Sequence, residues 1–101
     1  MKPSEILTAA IERLHKGWCI GALARNSAGQ CVRSNSDNAV AWCACGSLIQ
    51  DSSALVPMMI LNAAMPHTGN DIGHWNDQQT SVEPVIALFE KLREEFAAKG
   101  E

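Results

Sequence analysis

The chain contains 101 residues, of which 47% are hydrophobic and 19% are charged, and its formal net charge is −3. These values indicate one small globular domain and exclude a disordered chain or a chain with a second core. Between Ser34 and Glu90 there are acidic residues but no Lys or Arg, which argues against nucleic acid as a partner because phosphate binding depends on clustered cations.

The first half of the chain is predicted to contain two helices and one hairpin. Apolar residues recur at helical spacing within residues 4–16, which predicts the first helix. An alternating stretch followed by the turn sequence at 26–29 predicts a β-hairpin over residues 18–33. Residues 38–50 carry one face of apolar and small side chains at helical spacing and are predicted to form the second helix.

The second half is predicted to contain two further helices separated by a polar segment. Residues 54–64 are apolar on nearly every side, so we expect this helix to lie at the centre of the domain. Residues 66–79 are polar, and residues 81–98 again show helical periodicity. The expected architecture is a single α+β domain over residues 1–101, mainly helical, in which four helices pack with one β-hairpin.

Two similar segments, WCIGAL at 18–23 and WCACGSL at 42–48, begin 24 residues apart. The first lies on a predicted strand and the second on a predicted helix, so their side chains should point with different periods. We therefore do not expect structural duplicates. Trp18 and Trp42 suit large anchors in or near the core, and either of them could instead line a pocket.

The cysteines do not show the spacing of a structural zinc site. They form one Cys-x-Cys pair and two gaps of twelve, whereas zinc sites use paired Cys-x₂₋₄-Cys knuckles: Cys19, Cys31, Cys43 and Cys45. Charged residues interrupt the first 17 positions, and the apolar stretch at 54–61 contains a proline and is too short to span a bilayer. We expect a cytoplasmic protein with free thiols and no membrane partner.

The polar segment contains the candidate metal ligands, at spacings of 4, 3 and 3: His67, Asp71, His74 and Asp77. Imidazole and carboxylate groups together can hold zinc, manganese or iron, and a small metal-dependent enzyme is the corresponding alternative function. The same residue types also form Asx-turns in solvated loops, an interpretation under which no cofactor is expected. A thiol–imidazole pair between Cys19 or Cys43 and His74 would require a proximity that spacing alone does not establish.

Three motifs, taken in order, carry a family resemblance: WCIGALARNSAGQCV, AVAWCACGSL and IGHWNDQQTSVEPVIALFEKL. Over residues 1–96 the chain resembles small uncharacterised proteins of bacteria, prophages and tailed phages. Those proteins share a Trp before Gly-Ala-Leu-Ala, then Trp-Cys-x-x-Gly-Ala-Leu, then Trp-Asn-Asp before a helix that opens with Thr-x-x-Glu. Ser47, Cys31, Cys45 and Pro84 depart from this pattern. The resemblance implies a phage-related setting and supplies no activity.

The leading functional prediction is a non-enzymatic binding or accessory protein of phage or prophage type, which contacts a host or phage protein or sequesters a small ligand. Its candidate surface consists of Trp18, Trp42, His74, Trp75, Asn76 and Asp77. The run from Trp75 to Asp77 is interpreted in preference as a structural corner, in which the Trp packs on the core and the polar side chains satisfy backbone N–H groups.

A third alternative is a structural module that forms homo-oligomers, such as a homodimer. The apolar helix at 54–64 and the residue after it contain Met58, Met59 and Met65. These side chains could leave a Met-rich face exposed, and such faces often mediate association.

Overall fold

A computed structural model describes residues 2–50 and 55–101 of the chain. Within these two ranges the chain forms five helices and one three-stranded sheet, which confirms a mainly helical α+β domain. No helix within them combines the length and the apolar character that crossing a bilayer requires. In chain order the elements are α1 (Pro3–Lys16), β1 (Ala24–Arg25), β2 (Cys31–Val32), β3 (Ala41–Trp42), α2 (Ala44–Leu48), α3 (Leu55–Thr68), α4 (Ile72–Asp77) and α5 (Glu83–Ala98).

The core lies mainly between α1 and α5, the two helices with clear amphipathic periodicity. Their facing sides bury apolar residues at helical spacing: Leu7, Ala10, Ile11, Leu14, Val85, Leu88, Phe89, Leu92 and Phe96. Each fully buried Leu or Phe stabilises the fold by roughly 1.5–3 kcal/mol. The helices predicted at 4–16 and 81–98 are therefore confirmed, with ends shifted by one or two residues.

The helix predicted at 54–64 is present as α3, but the prediction that it is central is wrong. Its buried residues are Pro57, Ile60 and Ala64, whereas Leu55 is 80% exposed and Met58 is 48% exposed. A sequence that is apolar on every side favours no face, so its pattern could not show which residues contact the core. Residue 54 lies outside the described residues, and α3 continues to Thr68.

The sheet has the order β2-β1-β3, and both strand pairs are antiparallel. The predicted hairpin at 18–33 is confirmed only where β1 pairs with β2, with Ala24 opposite Val32. The Asn26 side chain accepts hydrogen bonds from the backbone N–H groups of Ala28 and Gln30 and so closes the turn. Residues 18–23 were expected to extend the first strand, but Gly21 has a φ of +75° and the chain bends there instead.

The helix predicted at 38–50 is wrong in its first part, because residues 41–42 form strand β3 beside β1. The alternation in this stretch is compatible with both a strand and a helix face, and long-range pairing with β1 decides between them. The helix α2 begins only after Cys43, whose sulfur accepts a hydrogen bond from the backbone N–H of Gly46 at 3.3 Å. The N-cap of α2 is therefore a thiol.

The polar segment predicted at 66–79 is not an unstructured loop. It contains the last turn of α3, which is followed by Gly69 at a φ of +69°, and then the short helix α4. Asp71 caps α4, because its side chain accepts a hydrogen bond from the backbone N–H of His74 at 3.0 Å. Helix α4 was not predicted, because a run of six residues that includes a Gly is too short to show helical periodicity.

Candidate functional site

The two Trp-Cys segments lie side by side in the fold. Trp18 and Trp42 form an isolated parallel bridge, in which the N–H of Cys19 donates to the carbonyl of Trp42 at 3.2 Å. The N–H of Cys43 donates to the carbonyl of Leu23 at 3.1 Å, so the end of one segment meets the start of the other. The two segments differ in conformation, as expected from the sequence, and they are bonded to one another.

Gly46 allows this close approach. A Cβ atom added at Gly46 would lie 1.9 Å from the carbonyl oxygen of Leu23, a separation that no side chain can occupy. The helix α2 therefore packs its backbone directly against Leu23 of the first segment. This contact fixes one wall of the candidate site.

Asn76 joins both segments to α4 and is fully buried, with 0% of its surface exposed. Its Oδ1 accepts from the indole Nε1–H of Trp18 at 2.8 Å and from the backbone N–H of Ala44 at 3.1 Å. Its Nδ2 donates to the carbonyl of Cys19 at 3.3 Å and to Oδ1 of Asp77 at 3.2 Å. Every polar atom of this amide is thus bonded, as burial requires.

Asp77 also reaches across to the first segment. Its Oδ1 accepts a hydrogen bond from the backbone N–H of Gly21 at 3.1 Å. Trp75 is half-buried and packs against the hydrophobic core. The preferred interpretation of residues 75–77 as a structural corner is in accord with this geometry, because the Trp packs and the polar side chains bind backbone N–H groups.

An open cavity of about 300 Å³ lies between the two Trp-Cys segments and α4. Its apolar and thiol walls come from the two segments, and its polar wall comes from α4 and the residue before it: Ala22, Leu23, Cys43, Cys45, Asp71, Gly73, His74 and Asp77. Both carboxylates are on exposed residues. Of the described residues that line the cavity, none is Lys or Arg, so its charge is negative.

The two thiols of the cavity have very different proton affinities. Hydrogen bonds, chiefly from the Cys45 thiol and also from the backbone N–H groups of Gly46 and Cys45, lower the pKa of Cys43 to about 7 against the opposing effect of burial. The pKa of Cys45 is raised, because its proton is held in the hydrogen bond to Cys43 and because the group is buried. Cys43 is therefore the thiol that ionises first.

The six residues of the predicted binding surface separate into two groups. His74 and Asp77 are exposed and line the cavity. Asn76 and Trp42 are buried, and the indole N–H of Trp42 donates to the carbonyl of Ser34 at 2.8 Å. Trp18 and Trp75 are half-buried and pack against the core. The three Trp residues and Asn76 therefore support the elements around the cavity and do not line it.

The four predicted metal ligands do not come together. Asp71, His74 and Asp77 line the cavity, but His67 lies at the end of α3, where its Nε2 is 3.1 Å from Oε1 of Glu95. Within residues 2–50 and 55–101, no three His, Cys, Asp or Glu side chains are arranged to hold one metal ion. The predicted set of four ligands therefore does not form a site in this structure.

Four residues of the cavity were not predicted as site residues: Ala22, Leu23, Cys45 and Gly73. Cys45 was regarded as an additional thiol, and Gly73 was regarded as part of a polar loop. A Cβ atom at Gly73 would lie 3.6 Å from the sulfur of Cys45, so α4 passes close to the thiol pair. The Cys-x-Cys spacing was the available signal, but nothing local links it to residues about 30 positions away.

The Met-rich face expected on α3 is exposed, since Met58, Met59 and Met65 are 48%, 47% and 49% exposed. Homo-oligomerisation through this face stays a prediction. The face lies on α3, which contributes no residue to the lining of the cavity among the residues described.

Residues 1–95 match a family of unknown function, DUF6197, and the chain belongs to this family. No curated protein and no solved structure matches the chain.

Proposed function

We propose that this protein is a non-enzymatic binding or accessory protein of phage or prophage type that acts in the cytoplasm. In this proposal the cavity between the two Trp-Cys segments and α4 binds a cationic amine or guanidinium group. That group belongs either to a small ligand or to a Lys or Arg side chain of a host or phage protein. The observation that carries the proposal is the pair of exposed carboxylates, Asp71 and Asp77, in a cavity whose described lining contains no cation.

The hydrogen bonds of the two carboxylates support this choice of ligand. Oδ1 of Asp71 caps α4, and Oδ1 of Asp77 holds the backbone N–H of Gly21 and the side-chain amide of Asn76. Within the described parts of the chain these bonds use Oδ1 alone, which leaves Oδ2 of each carboxylate for a ligand. A fixed carboxylate with one free oxygen is a good acceptor for charge-assisted hydrogen bonds from ammonium or guanidinium groups.

The size and the walls of the cavity indicate how large the ligand is. A volume of about 300 Å³ is at the lower end of the range for small-molecule sites. Ala22 and Leu23 provide an apolar wall beside the carboxylates. A short aliphatic chain that ends in a cation fits this combination better than a nucleotide-sized cofactor.

The resemblance to proteins of prophages and tailed phages supports the phage-related setting. The charge distribution supports a cationic rather than an anionic partner, because no Lys or Arg occurs between Ser34 and Glu90. Such a surface attracts cations at long range and raises their rate of encounter.

The proposal can be tested by isothermal titration calorimetry with three cationic probes: agmatine, butylamine and a blocked tripeptide that contains Arg. We expect at least one of these cations to bind, and we expect 1-butanol to bind at least tenfold more weakly than butylamine. Asp71→Asn and Asp77→Asn keep an oxygen for the structural hydrogen bonds, since Asn also caps helices, and together should weaken binding at least tenfold. The exposed residue Asp37 does not line the cavity, so Asp37→Asn is the matched control.

The three probes also distinguish the source of the cation. Binding of agmatine but not of the tripeptide would indicate a free small ligand, whereas binding of the tripeptide would indicate a side chain of a protein. The proposal is wrong if none of the cations binds. It is also wrong if the double variant at Asp71 and Asp77 binds them as tightly as Asp37→Asn does.

A further inference from the structure

We propose that Cys43 and Cys45 form a reactive dithiol that exchanges with small-molecule disulfides entering the cavity. Cys43 is the attacking thiol and Cys45 is the resolving thiol. This activity goes beyond the binding function proposed above and does not depend on the charge of the ligand.

The position of the two cysteines in the fold is the first basis for this inference. Both side chains line the same open cavity, at the N-terminal end of α2. The two cysteines are two positions apart, so their Cα atoms can be at most about 7 Å from one another. A disulfide spans about 4.4–6.8 Å between Cα atoms, which is close to this limit. Both thiols are free.

The hydrogen bonds give the two thiols different roles. The sulfur of Cys43 accepts a hydrogen bond from the backbone N–H of Gly46 at 3.3 Å, and this bond favours its thiolate. The pKa of the Cys45 thiol is raised by its interaction with Cys43 and by burial, so this thiol keeps its proton. Because the thiolate is the nucleophile in thiol–disulfide exchange, Cys43 attacks first and Cys45 follows.

The exchange proceeds in two balanced steps. The thiolate of Cys43 attacks one sulfur of a disulfide R–S–S–R, an S–S bond forms to Cys43, and R–S⁻ leaves and takes up a proton. The Cys45 thiol then loses its proton and attacks the sulfur of Cys43, which expels the second R–S⁻. The protein loses two protons and two electrons, and the small disulfide is reduced to two thiols.

The remaining cysteines have different surroundings. The Cys19 thiol donates to the carbonyl of Ala22 at 3.6 Å, and burial is the main reason that its pKa is raised to about 11. Cys31 is exposed on β2. Neither belongs to the described lining of the cavity, so Cys31 can be replaced by Ser to remove an exposed competing thiol.

The experiment uses the full chain carrying Cys31→Ser and the neutral probe 2-hydroxyethyl disulfide, whose uptake the carboxylates of the cavity do not oppose. We expect intact-mass spectrometry to show a loss of about 2 Da, as intramolecular disulfide formation requires, and peptide mapping to place the bond between Cys43 and Cys45. With Cys45→Ser added, the reaction should stop at one hydroxyethylthio group on Cys43. With Cys43→Ser added, the reaction should slow at least tenfold, and Ser is an effective N-cap that keeps α2 intact.

A second measurement needs no substitution. Limited alkylation of the wild-type chain with iodoacetamide at pH 7.5, followed by peptide mapping, should label Cys43 at least tenfold faster than Cys19. The proposal is overturned if Cys43 and Cys45 form no disulfide. It is equally overturned if Cys43→Ser reacts as fast as its parent, or if Cys43 is alkylated no faster than Cys19.

Discussion

Cys19 and Cys43 occupy the same place in the two Trp-Cys segments, and each makes a hydrogen bond to the backbone three residues further on. The thiol of Cys19 donates its proton to the carbonyl of Ala22, whereas the sulfur of Cys43 accepts from the N–H of Gly46. The pKa of Cys19 accordingly rises to about 11, with burial as the largest cause. The pKa of Cys43 falls to about 7, with the bond from Cys45 as the largest cause.

The backbone after each cysteine produces the difference in hydrogen bonding. Residues 20–23 bend, with Gly21 at a φ of +75°, and present a carbonyl group to the thiol of Cys19. Residues 44–48 form a helix whose first N–H groups have no partner within the helix, and the N–H of Gly46 donates to the sulfur of Cys43. The same Trp-Cys sequence therefore gives a cysteine that donates a hydrogen bond in one segment and a cysteine that accepts one in the other.

Substitution of the glycines in the two segments should have the largest effect on the free energy of unfolding. Gly46→Ala should destabilise the fold by roughly 3 kcal/mol or more, because its Cβ would lie 1.9 Å from a backbone oxygen that cannot move without breaking the contact between the segments. Gly21→Ala should cost only about 1–2 kcal/mol, the cost of a positive φ for an L-residue, because the nearest atom to its Cβ is on the flexible side chain of Arg25.

Urea unfolding followed by circular dichroism measures both glycine variants on one scale. Gly29→Ala, at a φ of +80° in open space, is the matched control for backbone conformation alone. Equal effects at Gly46 and Gly21 would show that the direct contact between the two segments is not a major source of stability.

Removal of the residue that bonds to both segments should have an intermediate effect. Asn76→Ala leaves the indole N–H of Trp18 and the backbone N–H of Ala44 without their acceptor. A buried donor without a partner costs about 1–3 kcal/mol, so we expect a loss of roughly 2–4 kcal/mol. Hydrogen exchange at both N–H groups should accelerate, one in each segment.

Asn38→Ala is the control for the Asn76→Ala protein. Asn38 is exposed, so its replacement should change the free energy of unfolding by less than about 0.5 kcal/mol. If exchange accelerates in only one segment of the Asn76→Ala protein, then the amide does not couple the two segments. Comparison with the Asn38 variant separates this effect from the general loss of an Asn side chain.

The thiols should make the free energy of unfolding depend on pH, with opposite signs in the two segments. The pKa of Cys43 is about 7 in the folded chain against an ordinary 9.0, so between these values only the unfolded state keeps the proton. Its contribution to stability should therefore rise with pH from about 7 to 9, by at most about 1.4 kcal/mol for each pH unit. The pKa of Cys19 is about 11 against 9.0, so its contribution should fall as pH rises from 9 to 11.

Urea unfolding is measured from pH 6 to 10 for three proteins: the wild-type chain, Cys43→Ser and Cys19→Ser. The difference between the wild type and each variant gives the contribution of that thiol to the free energy of unfolding. Asp77 and burial oppose ionisation of Cys43, while Cys45 and the N–H of Gly46 favour it. A difference between wild type and Cys43→Ser that does not change with pH would contradict the assignment of Cys43 as the acceptor.

Local periodicity was sufficient to predict the two helices that form the core. In α1 and α5, apolar residues occur at helical spacing and polar residues cover the other face, so Leu7, Leu14, Phe89 and Phe96 could be placed in the core from the sequence. Periodicity failed at α3, where every face is apolar. It failed again at residues 41–42, where alternation fits both a strand and a helix.

The candidate site was predictable only in part. His74 and Asp77 were predicted because a long polar segment in a small domain is often functional, and both line the cavity. The burial of Asn76 and the position of Cys45 opposite α4 depend on contacts between residues far apart in the chain. The bond from Trp18 to Asn76, for example, joins residues 58 positions apart, and no local pattern encodes such a pairing.

The hydrogen bond between the indole of Trp18 and Asn76 also has an optical consequence. The chain contains three Trp and no Tyr, so its near-ultraviolet emission comes almost entirely from indole rings. Asn76 is the immediate neighbour of Asp77 and is bonded to its Oδ1, so one fluorophore is two hydrogen bonds away from the cavity. We therefore expect indole emission to change when that cavity is filled, and no dye has to be attached to observe the change.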